Sequence, residues 1–378
     1  MPDLAIYRLD IYDDAGVFHG SLTGTAAGGA QNNAGFLSLS CLRRVNAPGM
    51  LVFSLRGDHP LLATLADKWQ FELWRKPYGQ SWTREMASIF RAGQWSYGEK
   101  SSIVLNCPGV MSLLGMRIIN YPADTSNKTA FKGVAAETIM KDLVTYNITS
   151  SATTGNGRKR NGTNWPATQI SVAADGAAGN NLDWYCFGEN LLDNLQKLAL
   201  IAGGDFDLVK TGATAYEFRW YTGQLGTDKS ATVKFALGLG NMGAPEYSES
   251  WLDEKTVACV WGKGEGAGRE YVTRTGTNFA AGNDIELFVN ASNVEAGNTD
   301  GLNDDGDQKL REVQAIRSFG FDALQAPATL YGVHYGLGYL VGAVNPAKGS
   351  AYTLKVAAVN QTLEPNGNQK IGVELSAP

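Results

Sequence analysis

Residues Ala328–Val344 read ATLYGVHYGLGYLVGAV. Aromatic and aliphatic residues flank Gly336–Gly338, which predicts an extended segment, a tight glycine turn and a second extended segment. Lys355–Val359, Pro365-Asn366-Gly367 and Ile371–Leu375 then give a strand, a turn and a last strand. No reactive pattern lies in this block. It reads as a small β-barrel completed at the C-terminal end of the sequence.

The same texture fills residues 1–120. Ala5–Tyr12 alternates as a strand and Asp13-Asp14-Ala15-Gly16 turns it. Phe36–Arg43 and Met50–Leu55 flank the turn Asn46-Ala47-Pro48-Gly49. Pro60–Leu65 suits a short helix, and Trp69–Arg75 (WQFELWR) alternates as a half-buried strand does. Glu85–Ala92, Gln94–Tyr97 and Ser102–Cys107 continue the meander. Short strands at this spacing predict an N-terminal β-barrel or sandwich over residues 1–120.

Residues 121–205 read as a mixed α/β insertion. Val134–Asn147 puts Ile139, Met140, Leu143 and Val144 on one helical face. Glu189–Ala202 lines up Leu191, Leu192, Leu195 and Leu198, and Gly203-Gly204 stops it. Residues 206–274 return to strands of the second barrel and the mixed domain. Asp205–Lys210 and Ala215–Tyr221 form a hairpin over Thr211-Gly212, followed by Ala231–Leu237, Thr256–Trp261 and Glu270–Thr275. Residues 275–327 hold an acidic loop, Gly297–Asp307, and a helix, Gln308–Phe319, with Leu310, Val313 and Ile316 inward. Residues 328–378 close the second barrel. The fold class is a β-rich α+β chain: two small β-barrels with inserted mixed α/β domains.

Composition narrows the function. Of 378 residues 18% are charged, below the usual quarter, and 45 are glycine, which suits a turn-rich β protein with extensive permanent contacts. A net charge of −5 leaves no basic footprint for nucleic acid. The opening MPDLAIYRLDIYDD meets charge at once, so no secretory signal is expected. No apolar run is long enough for a membrane span. Cys41, Cys107, Cys186 and Cys259 are far apart and read as free thiols, mostly buried.

Candidate chemistry is thin. Gly262–Arg269 (GKGEGAGR) invites a phosphate-loop reading, but it lacks Lys-Ser/Thr before a helix and is followed by strand-like Glu270–Thr273; a hairpin loop fits better. Gly301–Glu312 resembles a calcium loop at Asn303, Asp305, Gly306 and Glu312, but its first ligand position is Gly301. A surface loop capping the next helix through Asp304 or Asp307 is the simpler reading. The three histidines, His19, His59 and His334, have no metal spacing. Glu72, Asp183, Glu217 and Glu246 lie near aromatics and are the only carboxylates singled out for glycosidase-type chemistry. The nine tryptophans (Trp69, Trp74, Trp82, Trp95, Trp165, Trp184, Trp220, Trp251, Trp261) are scattered, as core and interface anchors are. No residue is assigned as catalytic, cofactor-binding or metal-binding. A glycan or peptidoglycan hydrolase, or a carbohydrate-binding protein without catalysis, stands as the alternative.

The order of blocks is informative as a whole. YRLDIYD, WQFELWR and IFRAGQWSYGEKSSIVLNCPGVMSLLGMRII come first, then AAETIMKDLV and LLDNLQKLALIAGGDFDL. VACVWGKGEGAGRE, YGVHYGLGYLVGAV and KVAAVNQTLEPNGNQKIGVEL follow. This series resembles the Gp37-like tail proteins of long-tailed phages, related in fold to baseplate hubs. One departure is Leu337-Gly338-Tyr339, where the family often has Leu-Gly-Asp. The resemblance implies a non-enzymatic hub at the virion tail tip or baseplate, assembled in the host cytoplasm. It implies a homotrimer whose two barrels per subunit make a pseudo-six-fold ring, with subunit contacts through strands such as Trp69–Arg75 and Tyr331–Val344. Its partners would be the tail tube or distal tail protein, the tape-measure C-terminus, and tail fibre or tip proteins.

Overall fold

The computed structural model describes residues 5–24, 35–77, 79–98, 101–123, 128–160, 169–282, 284–346, 348–365 and 367–377. Met1–Leu4, Trp165 and the turn residue Asn366 lie outside the described residues.

The first strands are β1 (Ile6–Tyr12), β2 (Phe18–Gly24), β3 (Ser38–Arg44) and β4 (Ala47–Arg56). A 3-10 turn at Pro60–Ala63 leads to β5 (Gln70–Lys76), β6 (Thr83–Ile89), β7 (Ala92–Ser96) and β8 (Ser102–Pro108). The mixed segment holds β9 (Thr129–Ala135), α1 (Ala136–Ile148), β10 (Ile170–Val172), β11 (Asn181–Cys186), α2 (Leu191–Ala199), β12 (Gly204–Lys210) and β13 (Tyr216–Thr222). Next come β14 (Lys234–Phe235), β15 (Met242–Ser250), β16 (Val257–Trp261), β17 (Tyr271–Thr275) and β18 (Glu286–Asn290). Helix α3 (Thr299–Glu312), β19 (Ile316–Ala323), β20 (Leu340–Val344), β21 (Ala351–Leu363) and β22 (Gln369–Ser376) complete the chain.

The two ends of the sequence share one sheet. Its strand path is β15-β19-β22-β21-β3-β4-β8-β7, with β20 on β21 and β14 on β20. The join is the antiparallel pairing of β21 with β3, which sets Ala358 opposite Arg44 and Leu363 opposite Leu39. A four-stranded sheet, β2-β1-β5-β6, packs over the N-terminal half of the large one. Alternation supplies this core: Tyr7, Leu9 and Ile11 from β1 meet Leu51, Phe53 and Leu55 from β4, with Phe71 and Leu73 from β5. The Phe53 and Phe71 rings meet edge-on at 5.0 Å. A second core gathers Phe235, Phe319, Phe321, Tyr331, Tyr335, Val341, Val356 and Val373. Each such buried side chain contributes about 1.5–3 kcal/mol.

The mixed segment has its own core, with α1 and α2 packed on β9–β13. Both helices fall where the sequence puts them. Ile139, Met140, Leu143 and Val144 are buried, and Asn190 caps α2 by accepting the N–H groups of Leu192 and Asp193. The Asp205–Lys210 hairpin also holds, with Lys210 opposite Tyr216.

Four expectations need correction. Ala328–Val344 is not a two-stranded hairpin: only Leu340–Val344 is a strand, and it pairs with β21 and β14. Tyr331 and Tyr335 instead bridge across a tight turn at Gly332, so both rings enter the core 5.6 Å apart. Trp69–Arg75 lies in an interior strand paired on both sides, by β1 and β6, so it offers no edge to another chain. Ala231–Leu237 keeps strand geometry only at Lys234–Phe235. Finally, the acidic run Gly297–Asp307 is not a loop, and Gln308–Phe319 is not a helix.

That last correction has a packing cause. Asn298, not Asp304 or Asp307, caps α3 by accepting the Gly301 N–H. Gly301 and Gly306 are contact points rather than turn residues. A Cβ on Gly306 would lie 2.6 Å from Arg274 Cγ and 2.7 Å from Val260 Cγ2. The helix ends at Glu312, and Ile316 is an exposed residue at the start of β19. Gly306→Val should therefore push α3 off β16 and β17 and cost about 1–3 kcal/mol, read as a lower urea midpoint. An unchanged midpoint would contradict this account of the helix.

Candidate functional site

The residues singled out for chemistry do not converge. Glu72, Asp183, Glu217 and Glu246 stand in four different sheets, on β5, β11, β13 and β15. Three have partners of their own: Glu72 lies 2.8 Å from Lys210 Nζ, Asp183 accepts the Gly133 N–H, and Glu217 pairs with Arg219. His19 contacts Asp13 and stacks on Trp69 at 4.5 Å. His59 accepts the Leu61 N–H and His334 accepts the Leu330 N–H, both as turn caps. Cys41, Cys107 and Cys186 are buried and Cys259 is half-buried. Burial pushes the Cys41 thiol up to about 12, and those of Cys107 and Cys186 upward as well, which keeps them protonated and unreactive.

Gly262–Arg269 is the hairpin loop between β16 and β17. Its conformation is closed by Arg269, whose guanidinium donates to the carbonyls of Gly262 and Trp261 and to Asn290 Oδ1. That arginine is used up inside the loop. Among the described residues no group of three or more His, Cys, Asp or Glu is placed to hold a metal ion.

Convergence occurs instead at a polar joint between the sheets. Glu85 on β6 is buried, and its Oε2 accepts Tyr331 OH at 2.8 Å, Gln361 Nε2 at 3.0 Å and Arg43 Nη1 at 3.1 Å. Arg75 on β5 donates to the Tyr331 carbonyl at 2.9 Å, and its guanidinium lies over the Tyr331 ring. Burial, then the Glu85 charge, drives the Tyr331 phenol well above its usual range, so it stays a donor.

A second contact ties the mixed segment to both halves of the large sheet. Asp205 accepts Lys355 Nζ at 3.0 Å, Asn46 Nδ2 at 2.8 Å and the Leu225 N–H at 2.8 Å. Asn46, at φ +56°, also accepts the Phe206 N–H. The turn read from sequence as a simple reversal is thus an anchor. A cavity of about 170 Å³ at this junction is lined by Arg43, Glu85, Asp207 and Lys210 among others. Apolar residues such as Met86, Val110, Met111, Phe206 and Leu337 line much of it; of its charged groups Arg43 pairs with Glu85, and Arg84 and Lys210 pair with Glu72.

Open sheet edges complete the site. Among the described residues β7 pairs only with β8 and β15 only with β19. The β15 edge contains Pro245 and a register break between Gly243 and Glu246, both of which discourage further pairing. The β7 edge, Ala92-Gly93-Gln94-Trp95-Ser96, has no charge and no proline, and leads to Tyr97, which is 86% exposed. A concavity of about 460 Å³ on the large sheet is lined by Ser38, Ser40, Asn360, Thr362, Asp322 and Lys370 with others. Joints inside and open edges outside are features of a building block.

The fold defines the class. The prophage MuSo2 43 kDa tail protein of Shewanella oneidensis superposes with a TM-score of 0.58 at 13% identity, covering 99% of this chain and 98% of that one. A tail protein of Neisseria meningitidis MC58 gives 0.55 at 10% identity, over 98% and 96% of the two chains. Prophage tail protein gp18 of Listeria monocytogenes EGD-e gives 0.52 at 11% identity, over 97% and 94%. The chain therefore has a phage tail protein fold over nearly its full length. Residues 30–375 match the family described as Siphovirus ReqiPepy6 Gp37-like protein, and the chain belongs to that family. No curated relative matches it.

Glu85→Ala should strand Arg43, Tyr331 and Gln361 without their shared acceptor and cost about 3 kcal/mol or more by thermal unfolding. Glu85→Gln, which keeps a carbonyl acceptor, should cost clearly less. Equal losses from both would show that the carboxylate is not the joint's organiser.

Proposed function

We propose that this protein is a structural hub of a phage-like tail, in which three copies close into a pseudo-six-fold ring joining the tail tube to the tail tip. The observation that carries this reading is the pair of β-walled cores in one chain, one under the four-stranded sheet and one around Phe235, Phe321 and Val373. Two such bodies per subunit and three subunits make six similar units around an axis, which matches a six-fold tube above and a three-fold tip below. The first barrel is built by strands of residues 1–120 and the second is closed by residues 328–378. The mixed segments, 121–205 and 275–327, sit outside the ring.

Subunit contacts run through open edges rather than through β5 or the Tyr331 turn, since those are consumed internally. The neutral β7 edge and exposed Trp95 and Tyr97 favour it as one contact. Partners are further copies of the chain, the tail tube or distal tail protein, the tape-measure C-terminus, and fibre or tip proteins. The role is assembly at the virion tail tip or baseplate, without turnover and without a cofactor. Among the described residues no helix is long and apolar enough to cross a membrane.

Light scattering on concentrated protein, with and without purified tail-tube protein, tests this. Trimer mass, or trimer formed on the tube template, is expected. A monodisperse monomer that ignores the tube protein would contradict it.

A further inference from the structure

Residues 143–174 carry Arg158, Lys159 and Arg160 and no acidic residue, and residues 101–123 carry Arg117 and no acidic residue. The fold lays these two stretches side by side. Thr153 caps the 3-10 turn Thr154–Asn156 by accepting the Asn156 N–H, and Gly157, at φ +93°, reverses the chain. The Arg158 N–H then returns to the Thr153 carbonyl at 3.1 Å, and the Lys159 N–H reaches the Asn120 carbonyl at 2.7 Å. Gly157 packs on Tyr121, where a Cβ would stand 3.2 Å from the ring, and Tyr121 stacks on Tyr146 of α1 at 4.3 Å. The Arg117 carbonyl accepts the Leu191 N–H, at the start of α2, at 2.9 Å. Both helices of the mixed segment thus hold this basic cluster in place.

Arg158 is buried, only 4% exposed. Its Nη1 donates to the Arg160 carbonyl at 2.6 Å, and its Nε–H has no acceptor among the described residues. The charges that act on it among the described residues are both arginines, Arg117 and Arg160. Lys159 and Arg160 stand exposed beside it. Carboxylates of the flanking helical segments serve other groups. Glu189, ahead of α2, accepts Asn194 Nδ2 and faces Lys197 at 3.6 Å, while Asp142 of α1 acts on Tyr121. A guanidinium keeps its proton at any ordinary pH, so Arg158 cannot shed its charge. A buried charge without a partner is strongly unfavourable. The fold gathers cations here and leaves the counter-charge to come from outside.

We propose that Arg117, Arg158 and Arg160 form a seat for a phosphate-class oxyanion, with Lys159 at its rim. A carboxylate would bring one charge and two oxygens. A phosphate group brings up to two charges and at least three acceptor oxygens, which better matches three guanidinium forks. Four cations at one spot suit a single phosphate group, whereas a nucleic-acid backbone calls for a longer basic stripe. Burial, then Arg117 and Arg160, pushes Arg158 below the usual arginine range, and an anion beside it reverses that direction. The seat shares no residue with the Glu85 joint or the open sheet edges, so it stands apart from the ring reading.

Calorimetric titration of the full chain with inorganic phosphate at pH 7.5, where phosphate is largely a dianion, tests the seat. One saturable site is expected, and acetate at matched ionic strength should bind at least about tenfold more weakly. Arg158→Gln should weaken phosphate binding about tenfold or more, and Arg160→Gln several-fold. Arg311→Gln, an equal charge change at an exposed position on α3, should bind phosphate as wild type does. In phosphate-free buffer Arg158→Gln should unfold at an unchanged or higher urea midpoint, because it removes a buried unpaired charge; a purely structural arginine would give a lower one. If Arg158→Gln fails to fold, Arg160→Gln decides. Glycerol 3-phosphate binding as tightly as phosphate assigns the seat to a phosphate ester, and phosphate binding alone assigns it to the free ion; either supports the seat. No saturable phosphate binding, equal binding of acetate, or unchanged affinity in the variants at 158 and 160 would overturn the proposal.

Discussion

A single buried carboxylate decides how the sheets of this protein meet. Glu85 collects donors from β3, β21 and the Tyr331 turn, which lie up to 276 positions from it in the chain. Leaving any of these donors buried without an acceptor would be costly, so the four-stranded sheet, the large sheet and the glycine-rich turn have one mutual placement that satisfies all of them. The apolar cores resist sliding through side-chain packing, and this acceptor adds a directional constraint. Asp205 repeats the device for the mixed segment, taking Lys355, Asn46 and Leu225.

Fixing those placements shapes what is left outside. Strands that might have been edges are paired across the chain, with β21 on β3 joining the two ends of the sequence. Among the described residues each of the five sheets keeps open edges; of the large sheet's, β15 is guarded by a proline and a register break and β7 is not. Open edges of this kind are where further strands can pair in repeated assembly. The candidate carboxylates sit in four separate sheets.

Much of this was legible in the sequence, and the misses share a cause. Helices α1 and α2 were clear because each carries a full apolar stripe. The strands of residues 1–120 were clear from alternation, except β2, whose FHGSLTG shows little of it. The Tyr331 turn was misread because its conformation is set by Glu85 and Arg75, more than two hundred residues away in sequence. Helix α3 was misread because glycine and aspartate mark loops locally. There the glycines make room for Arg274 and Tyr185, Asn298 supplies the cap, and Asp304 and Asp307 contact β11 and β17. The candidate site was least legible, since an assembly surface has no motif: Asn46 looked like a turn, and nothing local marks Glu85 as a hub of contacts. The family resemblance rested on the order of blocks, and that order survives even where single blocks were misassigned.

The central claim is that this chain works as a shaped unit whose two β-walled bodies repeat around an axis. Electron microscopy of the protein assembled with its tail components tests it most directly. The account predicts rings of three copies with six similar lobes about the axis and the mixed segments outside. Particles with another copy number, or single copies attached singly to the tail, would contradict it.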